Sequence, residues 1–111
     1  MTPYEKKWLA QLNALLRAEL ANPYLDNGQI ATALAISEST LHRRIVKLTG
    51  MTPLKYIRNW RIQQAKMLLE SGDYRTVKAV ANAVGFLKVA YFSQQYELIF
   101  GERPSEVLQK W

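Results

Sequence analysis

The chain has 111 residues, enough for one compact domain or two very small ones. A hydrophobic share of 49% is sufficient for a packed core and argues against disorder. The lack of cysteine excludes disulfides, thiolate-bound zinc and thiol nucleophiles, while a formal net charge of +6 favours an anionic partner.

Trp8 to Leu20 is the first predicted helix. Leu9, Leu12, Leu16 and Leu20 fall on one face, with Trp8 and Leu15 beside it. Asn22-Pro23 ends it, because the residue before a proline avoids the α region. Asp26 and Gln29 then form the two ends of a capping box. In the short helix that follows, Ile30, Ala31 and Leu34 point inward. Ala35-Ile36 turns tightly into another helix, whose start Ser37 can cap. Two short helices with small residues at the elbow describe a helix-turn-helix.

The stretch from Ser37 to Lys66 is charged in one sense. After Glu38 no acidic residue occurs until Glu70, and the gap holds Arg43, Arg44, Lys47, Lys55, Arg58, Arg61 and Lys66. Leu41, Ile45 and Leu48 recur at the spacing of one helix face, which leaves Ser39, His42, Arg43 and Val46 on the other. Two readings are open at this point: a solvated surface helix, or one shaped for a DNA major groove. Gly50 is placed to close this helix as the residue after its last turn. Thr52 then caps the next helix, with Pro53 at its first position. It runs to about Ser71-Gly72 and spans about 28 Å at its rise per residue. Ile57, Ala65, Leu68 and Leu69 are its expected buried residues, and Trp60 fits either core or surface.

From Thr76 the pattern repeats. Val77 to Val84 is a short helix, Gly85-Phe86 a turn, and Lys88 to Ile99 a second candidate reading helix. Ile30, Ala31, Leu34, Ala35 and Ile36 correspond to Val80, Ala81, Val84, Gly85 and Phe86. Leu41, Ile45, Leu48, Gly50 and Pro53 correspond to Phe92, Tyr96, Ile99, Gly101 and Pro104, with the offset grown by one residue. The second turn should therefore be one residue longer. Tyr91, Phe92 and Tyr96 are assigned to the core. A closing helix is expected over Pro104 to Trp111, with Val107 and Leu108 inward. An internal repeat of a whole helix-turn-helix is a more specific signal than either copy.

These residues resemble the DNA-binding domain of the AraC/XylS family of bacterial transcription regulators. The resemblance is carried by I-A-T-A-L-A-I-S-E-S-T-L-H-R, then by G-M-T-P-L-K-Y-I and R-I-Q-Q-A-K-M-L-L. V-A-N-A-V-G-F, Y-F-S-Q-Q-Y and G-E-R-P complete it, so that it covers nearly everything from Ile30 to Pro104. The stretch from N-P-Y-L to L-T-G-M-T-P further resembles output domains joined to hybrid two-component sensors. The resemblance implies an all-α fold of seven helices, with two helix-turn-helix subdomains joined by a long central linker helix. Residues 1–52 would form the first unit, 53–72 the linker and 73–111 the second unit with its closing helix. Recognition helices at about 38–48 and 88–99 would enter adjacent major-groove segments, roughly 34 Å apart along the duplex. Bending the DNA to meet both would cost on the order of 1–6 kcal/mol.

Carried over by position, Ser39, His42 and Arg43 are the base-reading residues of the first unit. Arg43 can donate a bidentate pair to guanine O6 and N7. Arg44, Lys47 and Lys88 are the expected phosphate contacts, which position without specifying, and Arg58 and Arg61 are expected either to join them or to pair with Glu70 or with helix ends. In the second unit the matching base-reading positions are Val89, Ala90, Ser93 and Gln94. Here the chain departs from the family, which usually carries Arg where Gln94 stands and basic residues at the places of Glu97 and Leu98. Gln94 suits adenine, and Val89 or Ala90 a thymine methyl. Leu87 replaces the usual capping residue, so fraying of this helix start is expected. Arg103 is a further candidate for phosphate, and Val107 stands where the family's last motif carries Tyr.

An enzyme is not expected: there is one His, no cluster at metal-ligand spacing and no glycine-rich phosphate loop. No cofactor or metal is expected either. No apolar run approaches the roughly 20 residues of a membrane span, and the opening M-T-P-Y-E-K-K-W lacks a secretory apolar segment. A cytoplasmic location away from membranes is the expectation. The expected partners are double-stranded promoter or operator DNA, RNA polymerase, and a sensor or dimerisation domain in a longer protein. The alternative is a protein-interaction module within a regulator or polymerase complex. An RNA role is a third reading, for which no stacking platform is evident.

Overall fold

The computed structural model describes residues 1–110, and among these it contains seven α-helices and no strand. They are α1 (Pro3–Ala18), α2 (Asn27–Ala33), α3 (Glu38–Thr49), α4 (Pro53–Glu70), α5 (Val77–Ala83), α6 (Val89–Phe100) and α7 (Pro104–Gln109). Trp111, the last residue of the expected closing helix, lies outside the described residues. No helix among them is long and apolar enough to cross a membrane.

The chain divides into two compact units. The first comprises Met1–Glu19 and Tyr24–Arg58; the second comprises Leu20–Pro23 and everything from Asn59 onward. The division falls inside α4, one uninterrupted helix, rather than at its two ends. Its side chains explain this. Tyr56 is tied to α1, whereas Ile62, Ala65 and Leu69 belong to the core of the second unit.

In the first unit the helix starts five residues earlier than the leucine stripe predicts. Thr2 and Glu5 form a reciprocal capping box, with Thr2 N donating to Glu5 Oε1 at 2.9 Å and Glu5 N to Thr2 Oγ1 at 3.1 Å. Pro3 occupies the first turn, where its missing N–H costs nothing. Trp8, Leu12 and Leu16 of α1 are buried, as are Ile30 and Ala31 of α2 and Leu41 and Ile45 of α3. Leu48 is only half-buried. Tyr56 Oη donates to Asn13 Oδ1 at 2.6 Å, fixing the start of α4 against α1. Burial pushes the Tyr56 phenol up from its ordinary pKa, an effect the Asn13 bond partly offsets.

The turn from α2 to α3 satisfies the exposed carbonyls of α2. Ile36 N donates to Ala31 O at 3.0 Å and Ala35 N to Thr32 O at 3.1 Å, the double bond pattern of a left-handed helix end. Ala35 adopts φ 58°, the one positive φ at a non-glycine among the described residues. Ser37 Oγ then accepts from Thr40 N at 3.1 Å and starts α3.

The second unit repeats this turn. Phe86 N donates to Ala81 O at 2.9 Å and Gly85 N to Asn82 O at 3.1 Å, with Gly85 at φ 84°. The extra residue that the repeat offset requires is Leu87, and the N-cap position of α6 falls to Lys88, not Leu87. No side-chain hydrogen bond caps this helix. The core consists of Ile62, Ala65 and Leu69 of α4, Val80, Ala81 and Val84, then Phe86, Phe92 and Tyr96, with Val107 from α7. Phe86, Phe92, Tyr96 and Phe100 form an aromatic run with successive centroid separations of 5.3, 6.1 and 4.7 Å. Burial, with Glu70 and Glu102 nearby, pushes the Tyr96 phenol up to about 12.

Three expectations about burial are corrected. Ile57 and Leu68 are only partly buried, while Ile62 is completely so. Tyr91 is 42% exposed rather than in the core, because it lies off the stripe defined by Phe92 and Tyr96.

Candidate nucleic-acid interface

Ser39, His42, Arg43, Val46 and Lys47 are exposed along α3, while Leu41 and Ile45 are buried on its other side. The cap at Ser37 fixes where this face begins. Arg43 Nη2 donates to Thr40 Oγ1 at 3.4 Å, one turn back, a long bond that leaves most of the guanidinium donors for an incoming acceptor.

The flanking cations are held from α1. The Arg44 guanidinium carbon sits 5.5 Å from the centroid of the Trp8 ring, a cation–π contact that leaves Arg44 half-buried. Lys47 Nζ lies 3.7 Å from Glu5 Oε2. The Glu5 carboxyl is held below its usual range, first by the Thr2 backbone N–H and then by its hydroxyl. With Lys47 largely exposed, this ion pair is weak and easily exchanged for another anion. Neither Trp8 nor Glu5 signals these roles in the sequence, since both contacts are long-range.

Of the remaining expected phosphate contacts, Arg58 is half-buried and Lys88 is exposed at the start of α6. Arg61 is the clear correction. It is 7% exposed, and its guanidinium donates to Val84 O at 3.2 Å, Gly85 O at 3.1 Å and Asn22 O at 2.8 Å. A buried guanidinium engaged by three carbonyls is not available to a phosphate.

The outer face of α6 has another chemistry. Ala90 and Gln94 are exposed, and Val89 and Ser93 are half-buried. Leu98 is 75% exposed. Glu97 Oε2 lies 3.4 Å from Arg103 Nε, so the acid on this face is partnered and Arg103 is drawn to it. Over its length α3 carries Arg43, Arg44 and Lys47 against Glu38, while α6 carries Glu97 and no cation.

Two helix-turn-helix units, each with a buried stripe and an outward second helix, define a tandem helix-turn-helix DNA-binding fold. A family model described as a helix-turn-helix domain matches residues 30–110. The XylDLEGF operon transcriptional activator 2 of Pseudomonas putida is 34% identical over 82 residues, covering 72% of this chain and 52% of the relative. The chain thus spans about half the length of that relative. A transcriptional regulator of Chromobacterium violaceum, described as of the AraC-type DNA-binding class, has a similar structure. Its TM-score is 0.86 at 25% identity, over 98% of this chain and 96% of that one. The DNA-binding domain of AdpA, solved in complex with a target DNA, gives a TM-score of 0.80 at 29% identity, over 92% and 90% of the two chains. The chain belongs to the AraC/XylS family of helix-turn-helix domains.

Proposed function

We infer that the chain is a sequence-specific, double-stranded DNA-binding domain of a bacterial transcription regulator, with α3 and α6 each entering a major-groove segment of one duplex. The observation that carries this reading is the outward face of α3: Ser39, His42 and Arg43 exposed together, opposite the buried Leu41 and Ile45. Arg43 pairs with a guanine edge, and Ser39 and His42 contact the neighbouring bases. Arg44 and Lys47 meet phosphates on one side, and Arg58 and Lys88 are further phosphate contacts. Gln94 reads adenine, Val89 or Ala90 borders a thymine methyl, and Ser93 contacts a neighbouring base edge. The first unit supplies most of the affinity, because α6 brings no cation of its own. The match covers only 52% of one relative and 28% of another, which supports a larger protein, with a sensing or dimerisation part and RNA polymerase as a partner, acting in the cytoplasm.

A second reading, a protein contact made by α6, is favoured by its exposed Leu98 and its partnered Glu97. Duplex binding across a salt series separates the two. DNA recognition predicts log affinity falling linearly with log salt, by roughly 0.9 per phosphate contact. No retention of duplex at low salt contradicts it and favours the protein contact.

A further inference from the structure

Arg61 is the one buried charged residue among those described, and its partners are carbonyls rather than a carboxylate. Burial pulls the guanidinium below its ordinary pKa, yet an arginine stays protonated in a folded protein. Such a charge is tolerated inside a fold only when its donors are met. Here three carbonyls from two segments remote in sequence meet them: Val84 and Gly85 at the end of α5, and Asn22 in the connection between α1 and α2.

That connection is unusual in its allegiance. Leu20–Pro23 packs into the second unit, although the helices on either side of it belong to the first. Gly85 shows how close the approach is. A methyl group built on it would overlap the Arg61 guanidinium and lie 2.7 Å from the Leu20 carbonyl oxygen. The acceptors at residues 84 and 85 are carbonyls at the end of α5, which lack partners inside that helix and carry partial negative charge. The N-cap of α6, Lys88, follows three residues after Gly85 and makes no side-chain capping bond. Where Ser37 fixes the beginning of α3 locally, the beginning of α6 depends on the turn before it.

We propose that Arg61 is the positioning residue of the second reading helix: by clamping the α5–α6 turn to the chain at Asn22, it sets the pose in which α6 meets DNA without touching DNA itself. The proposal rests on the DNA-binding reading above, and its test separates the two.

The full chain is compared with Arg61→Met and Arg61→Lys. Circular dichroism and thermal melting report the fold, and amide hydrogen exchange reports residues 20–23 and 84–90. Hydroxyl-radical footprinting on a selected duplex reports each half-site. The expected result for Arg61→Met is faster exchange confined to those two segments, with loss of protection over the α6 half-site only. Arg61→Lys should fall between, since one ammonium cannot span three carbonyls. Unchanged exchange and an unchanged footprint in a folded Arg61→Met overturn the proposal. So does a loss of both half-sites in step with the melting temperature, which is general destabilisation. Should Arg61→Met not fold, the same criteria applied to Arg61→Lys decide. Failure of the unaltered chain to protect any duplex overturns the DNA reading, and the exchange pattern alone then decides whether the clamp exists.

Discussion

Ala35 and Gly85 hold the same place in the two helix-turn-helix units, both left-handed, at φ 58° and 84°. The first turn accepts a methyl group there. The second does not, because the Arg61 guanidinium and the Leu20 carbonyl fill the space. The reading helices that follow differ in the same sense. Ser37 caps α3, which carries cations; α6 has no side-chain cap, no cation and an acid bound to Arg103. One backbone pattern thus supports two solutions. A locally determined, basic helix is suited to hold phosphates, and a neutral helix takes its position from elsewhere in the chain. The comparison teaches that a repeat in fold need not be a repeat in energetic role.

The largest contrast expected is in stability. Gly85→Ala adds a left-handed alanine and an overlap with Arg61, together about 3 kcal/mol of destabilisation. Ala35→Gly should change stability by less than about 1 kcal/mol, since relief of backbone strain and greater freedom of the unfolded chain oppose one another. Urea unfolding of both variants checks this, and equal effects would erase the distinction between the turns.

Next comes affinity. Arg43→Ala should weaken binding to a selected duplex by about 1–3 kcal/mol, the range of a bidentate contact, whereas Gln94→Ala should cost about 1 kcal/mol or less. Titration by fluorescence anisotropy compares them. Losses of the same size would assign the two helices equal roles.

The caps offer a smaller difference. Ser37→Ala should cost about 1 kcal/mol, and Lys88→Ser should gain about half that by supplying the acceptor α6 lacks. Thermal melting reads both, and a null result for Lys88→Ser would mean that the helix start is already fully held by its turn. Smallest of all, Glu97→Gln releases Arg103 from its partner. It should raise affinity by less than about threefold, the scale of an exposed ion pair, and steepen the salt dependence slightly.

Much of this was legible because it is local. The stripes Leu41–Ile45 and Phe92–Tyr96 and the glycine at residue 85 follow from spacing within a dozen positions, and the extra residue in the second turn from the shifted register of the two repeats. Three misreadings were avoidable. The start of α1 is written in T-P-Y-E, a capping box with proline at its first helical position. Ile62 precedes Ala65 by three and Leu69 by seven, which is the phase of a buried stripe. Tyr91 likewise sits beside that phase in α6. For Arg61 a helix end is one of the open readings, but which carbonyls it meets was not legible. It stands in a run of basic residues that reads as a charged face, and its acceptors lie 23, 24 and 39 positions away. A backbone carbonyl leaves no mark in the sequence, so nothing there distinguishes an arginine bound to three of them from one free for a phosphate. The supports of Arg44 and Lys47 by Trp8 and Glu5 were hidden for the same reason.

Selection of bound duplexes from a random library, run in parallel with the unaltered chain and with Arg43→Ala, addresses the primacy of α3 most directly. The account predicts a site with a fixed guanine that becomes degenerate in the variant, while positions attributed to α6 keep their A·T preference. An identical site recovered with both proteins would contradict it.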